Sequence, residues 1–178
     1  MAERFSQKNL RVRPSSDEEK IVTNAKKHFE KTLVEISGEF VGSVAALEHP
    51  TKNKKLNYGE IFLRDNVPVM IYLITQKRYE IVKKFLSVCL ELQSSNYQTR
   101  GVFPTSFVEE NGQLIGDYGQ RSIGRITSAD ASLWWPILCW YYVNKSGDYD
   151  FGKSQSVPLH LLQFFLHRNL ALLLNFFD

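Results

Sequence analysis

Most hydrophobic positions in this chain recur at helical spacing. Ile21, Ala25, Phe29, Leu33 and Ile36 follow one another at intervals of four, four, four and three, which places them on one helical face. Ser16-Asp17-Glu18-Glu19 supplies a start for that helix: a serine oxygen to accept a backbone N–H that lacks an intrahelical partner, and a glutamate to reach back. Gly38 supplies the stop, because glycine takes the left-handed conformation that closes a helix. A shorter apolar stretch, Phe40 to Leu47, runs into His49-Pro50, and the polar, basic run Thr51 to Lys55 reads as a loop.

From Leu56 onward the pattern remains mostly helical. Val67 to Thr75 is nearly continuous in apolar residues, with Pro68 suited to a first helical turn. Its shortness and β-branched content also fit a buried strand. Ile81, Phe85, Val88, Cys89 and Leu92 form a stripe with Lys83, Lys84 and Glu91 opposite. A third apolar helix over Ser132–Val143 carries Trp134, Trp135 and Trp140. Pro136 fits it near the N-terminal turn, where backbone N–H groups have no partner in any case. Between these last two helices the pattern changes. Asn111-Gly112 separates Phe107-Val108-Glu109-Glu110 from Gln113-Leu114-Ile115, which predicts a hairpin whose two turn residues both take positive φ. Gly101, Gly116, Gly119 and Gly124 surround it, and a long glycine-bearing excursion is where binding groups collect. The final stretch, Leu159 to Asp178, holds eight leucines and four phenylalanines but shows no clean face. Arg168 near its middle argues against a membrane span, because burying that charge is costly.

The chain has 178 residues, 43% of them hydrophobic and 23% charged. These values fit one folded domain and exclude a disordered tail, a collagen-like fibre and a disulfide-stapled mini-protein. The net charge of +3 is local: residues 1–55 hold 11 Lys and Arg against 8 Asp and Glu. Arg4, Lys8, Arg11 and Arg13 mark residues 1–15 as a flexible basic arm. A charge this local, with no interleaved aromatics beyond Phe5, does not make a nucleic-acid surface. The arm lacks the apolar run of a signal peptide, so a cytoplasmic location is expected. Cys89 and Cys139 sit inside apolar stretches and read as buried thiols, with a single disulfide as the less motivated alternative.

Four histidines, His28, His49, His160 and His167, show no ligand spacing, and there is no CxxC, HExxH or calcium-loop pattern. No metal and no cofactor is expected. What remains is a set of carboxylates and arginines beside aromatics. Arg64-Asp65 follows Tyr58 and Phe62, Asp117-Tyr118-Gly119 and Gly124-Arg125 lie on the excursion, and Asp130 precedes Trp134-Trp135 at a helix start. Each has a plain structural reading: an ion pair at a helix start, turn chemistry, and an acid favoured by the helix dipole. Together they describe a surface on which sugars bind, with C–H faces on aromatic rings and hydroxyls on carboxylates and arginine. A helical scaffold with a buried aromatic core is the competing reading.

At these residues the chain resembles the alkaline/neutral invertases, glycoside hydrolase family 100. Leu56-Asn57-Tyr58-Gly59-Glu60-Ile61-Phe62-Leu63-Arg64-Asp65 is similar to the family's LNYxxxFxRD motif. Pro104-Thr105-Ser106-Phe107, Asp117-Tyr118-Gly119, Ile123-Gly124-Arg125, Asp130-Ala131-Ser132-Leu133-Trp134-Trp135 and Ser146-Gly147-Asp148 follow in the family's order. The similarity covers roughly Ala25 to Ser156. It is closer to cyanobacterial than to plant members, because Asn66 stands where phenylalanine is usual.

The resemblance implies a mainly α fold, part of an (α/α)6 barrel over residues 16–157, with one β-hairpin excursion at about residues 106–118. It implies hydrolysis of sucrose to glucose and fructose without a cofactor, and a sugar-binding centre lined by Tyr58, Arg64, Asp65, Asp130, Trp134 and Trp135. The family's two catalytic carboxylates lie in a Met-Ile-Asp-Arg segment and a Trp-Pro-Glu segment further along, and neither occurs here. No catalytic residue is therefore assigned. The chain is expected to be truncated and inactive alone, with residues 158–178 as a Leu/Phe-rich tail unlike the family, of the kind a frameshift produces. Sucrose or a related sugar is the expected partner, with neither nucleic acid nor membrane. Helix faces meant for missing helices would be left exposed, which is compatible with a homo-oligomer. The alternative is a non-catalytic helical fragment that binds a sugar or a protein partner.

Overall fold

A computed structural model describes residues 15–44, 59–97, 99–120 and 130–154. Tyr58, Gly124, Arg125, most of the basic arm and the Leu/Phe-rich tail lie outside the described residues. The chain forms two compact units, Met1–Lys31 and Thr32–Asp178.

In the first unit, α1 spans Ser16–Glu30. Its cap is Ser15, one residue before the predicted position. The Glu18 N–H donates to Ser15 Oγ at 3.3 Å, and the Ser15 N–H donates to Glu18 Oε2 at 2.6 Å. The doubled serines and glutamates offer two registers of the same reciprocal cap, and the earlier one is used. The helix ends at Lys31, so Leu33 and Ile36 do not continue its face.

Those two residues bound β1, Leu33–Ile36, which pairs antiparallel with β2, Glu39–Ser43. Ser37 and Gly38 have φ of 53° and 83°. Two consecutive positive φ values define a tight two-residue hairpin turn, so Gly38 closes a hairpin and not a helix. The helical spacing across Phe29, Leu33 and Ile36 gives way because β-branched Val34 and Ile36 suit a pleated surface. β2 also buries Val41 to 1% exposure.

Three helices build the core of the second unit: α2, Leu63–Thr75; α3, Tyr79–Glu91; and α4, Ala131–Ser146. Each packs on the other two, and β2 packs on α3. Met70, Leu73, Phe85, Leu86 and Trp135 are fully buried among them. The strand reading of Val67–Thr75 is thus resolved as helix. Pro68 and Pro136 are interior to α2 and α4, beyond the first turn where the sequence places them. Each removes one backbone bond, to the carbonyls of Arg64 and Ser132, and burial of the apolar faces offsets the loss. A short helix, α5, Tyr149–Lys153, packs on α4.

Three strands form an antiparallel sheet in the order β3 (Ile61–Phe62), β4 (Ser106–Glu110), β5 (Gln113–Asp117). The β4–β5 hairpin falls where Asn111-Gly112 predicts it, with φ of 55° and 79° at the turn. Nothing lies within 4 Å of a Cβ built on Gly112, so the cost of a side chain there is backbone strain alone. Gly112→Ala is expected to lower stability by about 1 kcal/mol, measured as a shift in urea midpoint at constant slope. The described fold is mainly helical with two small antiparallel sheets.

Candidate functional site

β3 runs directly into α2, with Phe62 as the cap residue at φ −81°, ψ 126°. Phenylalanine offers no side-chain acceptor, so the first N–H groups of α2 need partners from elsewhere. The Leu63 N–H donates to the Thr105 carbonyl at 3.0 Å, tying the helix start to the segment entering β4. Asn66, 1% exposed, ties it to β2. Its Nδ2 donates to the carbonyls of Ser43 at 2.9 Å and Phe62 at 2.8 Å, and its Oδ1 accepts the Ser43 N–H at 2.8 Å. Arg64 and Asp65 lie between these two anchors and project outward, with side chains 58% and 52% exposed.

Asp130 is the cap residue of α4. Its carbonyl accepts the N–H groups of Leu133 and Trp134, each at 3.0 Å, while its carboxylate makes no capping bond. The carboxylate faces Arg64: Asp130 Oδ2 lies 3.6 Å from Arg64 Nη1, and Asp65 Oδ1 lies 3.6 Å from Arg64 Nε. The guanidinium is therefore flanked by two carboxylates from the starts of two helices. At that separation these are ion pairs and not hydrogen bonds, and neither consumes an Arg64 N–H. Half-exposed pairs of this kind add about 0–1 kcal/mol to stability, so fold stability is a poor reason for their convergence.

Trp134 follows Asp130 by four residues, on the same helix face, and keeps 38% of its surface exposed. Trp135 takes a different place. It is completely buried, its indole N–H donates to the Leu86 carbonyl at 3.1 Å, and its ring stacks on Phe103 at 5.1 Å between centroids. Of the six residues that the resemblance sets at a sugar, the structure brings Arg64, Asp65 and Asp130 into contact. It leaves Trp134 exposed on the Asp130 face and puts Trp135 in the core behind.

Two buried carboxylates have structural partners. Asp117 Oδ1 accepts the Gly119 N–H at 3.0 Å, the turn chemistry read from the sequence, and Glu60 Oε2 accepts the Ser106 hydroxyl at 2.6 Å. Both cysteines are buried free thiols. Burial pushes Cys139 up to about 12 and Cys89 higher still, so neither is a nucleophile at neutral pH. A groove of about 460 Å³ lined by Ile36, Val41, Lys84, Val88, Glu91 and Leu114 contains none of Arg64, Asp65, Asp130 and Trp134. The candidate site is an open edge and not that groove.

Asp148 joins α3, α4 and α5. Lys83 Nζ lies 2.7 Å from Asp148 Oδ2, the Tyr142 hydroxyl donates to the same oxygen at 2.9 Å, and the Phe151 N–H donates to Oδ1 at 3.1 Å. The hydrogen bond from Lys83 holds the Asp148 carboxyl below its ordinary range and raises Lys83 in return. A depressed carboxylate contributes stability above its unfolded value, near pH 4, and loses it as pH falls through the lower folded value. Lys83 is raised, so its share is present below its unfolded value and lost only in strong base. Asp148→Asn is expected to flatten the acid limb of a plot of Tm against pH while lowering Tm at neutrality. An unchanged acid limb would show that other carboxylates govern it.

The described scaffold is mainly helical, holds the Arg64 guanidinium between two carboxylates and leaves the Trp134 indole partly exposed. A family model described as alkaline and neutral invertase matches residues 25–176, and the chain belongs to that family. The match includes residues 158–176 of the tail that the motifs set apart as unlike the family. The chain is 32% identical over 157 residues to alkaline/neutral invertase CINV2 of Arabidopsis thaliana, covering 82% of this chain and 28% of that protein. It is 35% identical over 157 residues to neutral/alkaline invertase 1, mitochondrial, of Oryza sativa subsp. japonica, covering 79% and 24%. It is 31% identical over 146 residues to cytosolic invertase 1 of the same plant, covering 75% and 26%. The chain thus spans about a quarter of the length of these relatives. Their names place them in more than one compartment, so family membership alone assigns no location. Among the described residues no helix is long and apolar enough to cross a membrane.

Asn66, read from the sequence only as a departure from the family, and Ser132, read only as a helix start, organise this site. Asn66 and Ser132 are polar side chains, 1% and 2% exposed, at positions where the buried faces of α2 and α4 are otherwise apolar. Ser132 Oγ accepts the Phe103 N–H at 3.1 Å and anchors the start of α4 as Asn66 anchors that of α2. The available signal was a lone polar residue in register with a buried stripe, Leu63, Asn66, Met70 and Leu73.

Proposed function

We propose that this chain carries the substrate-binding portion of a cytoplasmic sucrose hydrolase, within part of an (α/α)6 barrel, and does not hydrolyse sucrose alone. The observation that carries this reading is the convergence of Asp65 and Asp130 on Arg64 at 3.6 Å, from the starts of two helices. Sugar hydroxyls fit there, donating to carboxylates and accepting from the guanidinium, while Trp134 offers an aromatic face for the ring.

Hydrolysis of a glycosidic bond needs an acid on one side and a second carboxylate opposite, roughly 6.5–9.5 Å apart for inversion. Asp65 and Asp130 share one guanidinium, which suits hydroxyl binding better than the opposed roles of acid and base. Glu60 and Asp117 accept hydrogen bonds from their own sheet and turn. Titration with sucrose is expected to perturb Trp134 fluorescence, with the change lost in Trp134→Phe, and to release no glucose at neutral pH. Glucose release above that of Asp130→Asn would overturn the non-catalytic reading.

A second reading, a fragment that binds a protein partner, is favoured by Leu133, Ile137 and Trp140, which α4 leaves 38%, 41% and 45% exposed. Self-association by light scattering, insensitive to sucrose, would support it.

A further inference from the structure

We infer that Asn66 is the positioning residue of the sugar-binding edge, and that the absence of a side chain at Gly42 is what lets it act. The inference rests on the reading of Arg64, Asp65 and Asp130 as ligand-binding groups. Asn66 is the one polar residue on the buried face of α2, whose other members are Leu63, Val67, Met70, Leu73 and Ile74. A buried amide is tolerated only when its donors and acceptor are all bonded, and a leucine there would fill space without that demand.

What the amide adds is direction. It grips both hydrogen-bonding groups of a single strand residue, the N–H of Ser43 at 2.8 Å and its carbonyl at 2.9 Å. Rotation of α2 about its axis breaks both bonds at once. The third bond, to the Phe62 carbonyl at 2.8 Å, holds the same side chain against the strand-to-helix junction. On the other side of that junction the Leu63 N–H is fixed to Thr105. Arg64 and Asp65 lie between these two fixed points, so the directions in which they leave the helix are set by them.

Gly42 makes the approach feasible. A Cβ built on it would lie 2.7 Å from Ile61 Cγ2 and 3.2 Å from Asn66 Oδ1. A side chain there would press the amide off β2. The Ser43 hydroxyl, 3.3 Å from Asn66 Oδ1, is peripheral to the grip, which runs through the Ser43 backbone.

The test uses the full chain and compares Asn66→Ala and Asn66→Asp with Val82→Ala, a destabilising change in the core of α3 away from the edge. Asn66→Asp keeps the shape and the acceptor but removes both N–H donors, and serves if Asn66→Ala does not fold. All measurements are made at a temperature where circular dichroism shows each variant fully folded. The first readout is the side-chain Nε–H resonance of Arg64, assigned by its loss in Arg64→Lys, which needs no ligand. It is expected to shift in the Asn66 variants, as the guanidinium moves relative to the Asp130 carboxylate 3.6 Å from it, and to stay in place in Val82→Ala. The second is the Kd for sucrose by calorimetry, expected to rise about tenfold or more in the Asn66 variants and less than about twofold in Val82→Ala. Ser43→Ala is expected to resemble the wild type in both. An Nε resonance unmoved in the Asn66 variants, or moved equally in Val82→Ala, overturns the positioning role. A wild type that binds no sucrose contradicts the sugar reading, and the Nε resonance then decides the positioning role by itself.

Discussion

Trp135→Ala is expected to destabilise the folded chain by about 4 kcal/mol, the upper range for removing a large aromatic from a core. Three losses combine. The ring is fully buried, so a cavity remains; its stack on Phe103 at 5.1 Å disappears; and the Leu86 carbonyl loses the indole N–H at 3.1 Å. That carbonyl belongs to α3, so the change loosens the α3–α4 contact on which Asp130 depends. The check is urea unfolding followed by circular dichroism. Trp134→Ala, one residue away and 38% exposed, is expected to shift stability by less than about 1 kcal/mol. The two neighbours are thus predicted to divide cleanly, Trp135 acting on stability and Trp134 on sugar binding. Equal effects on stability would contradict the placement of either ring.

Arg64→Ala is expected to do the converse. Its two ion pairs are long and half-exposed, so unfolding free energy should change by less than about 1 kcal/mol. Binding should suffer far more. A charge-assisted hydrogen bond to a ligand is worth about 1.5–3 kcal/mol, so its removal should weaken sucrose binding by roughly 10–100-fold. Asp65 and Asp130 would then face one another without the intervening cation, which adds repulsion at neutral pH. Calorimetric titration of the variant, beside an unfolding curve on the same sample, separates the two effects. A variant that loses stability but keeps its affinity would make the guanidinium a structural bridge and nothing more.

The parts of this molecule that are legible in sequence are those where local signals agree. The hairpin at Asn111-Gly112 is one, because two positive φ values admit few residue pairs. The α3 stripe is another, because an uninterrupted period meets a polar opposite face. The parts that are not legible are those decided by distant partners. Val34 and Ile36 favour a strand, but the helical spacing of Phe29, Leu33 and Ile36 competes with them, and only the positive φ of Ser37, an uncommon choice there, turns Leu33 to face Ser43 across a ladder. Pro68 looks like a first-turn residue until the start of α2 is seen to be held by Thr105 and Ser43.

The candidate site divides the same way. Arg64, Asp65 and Asp130 are readable as charged residues at helix starts, and the structure joins them. Trp134 and Trp135 are indistinguishable as a pair of letters, and only the helix phase relative to Phe103 and Leu86 separates them. Asn66 is visible as an unexpected residue, but its grip on Ser43 spans 23 positions and no local pattern predicts it.

On the function proposed above, this chain holds sucrose at the Arg64 edge without cleaving it. Saturation-transfer difference NMR on the full chain with sucrose at neutral pH tests both halves in one sample. Saturation of sugar protons that is lost in Asp130→Ala is expected, with no growth of glucose anomeric signals over the course of the experiment. Absence of saturation transfer in the wild type, or accumulation of free glucose, would contradict that function.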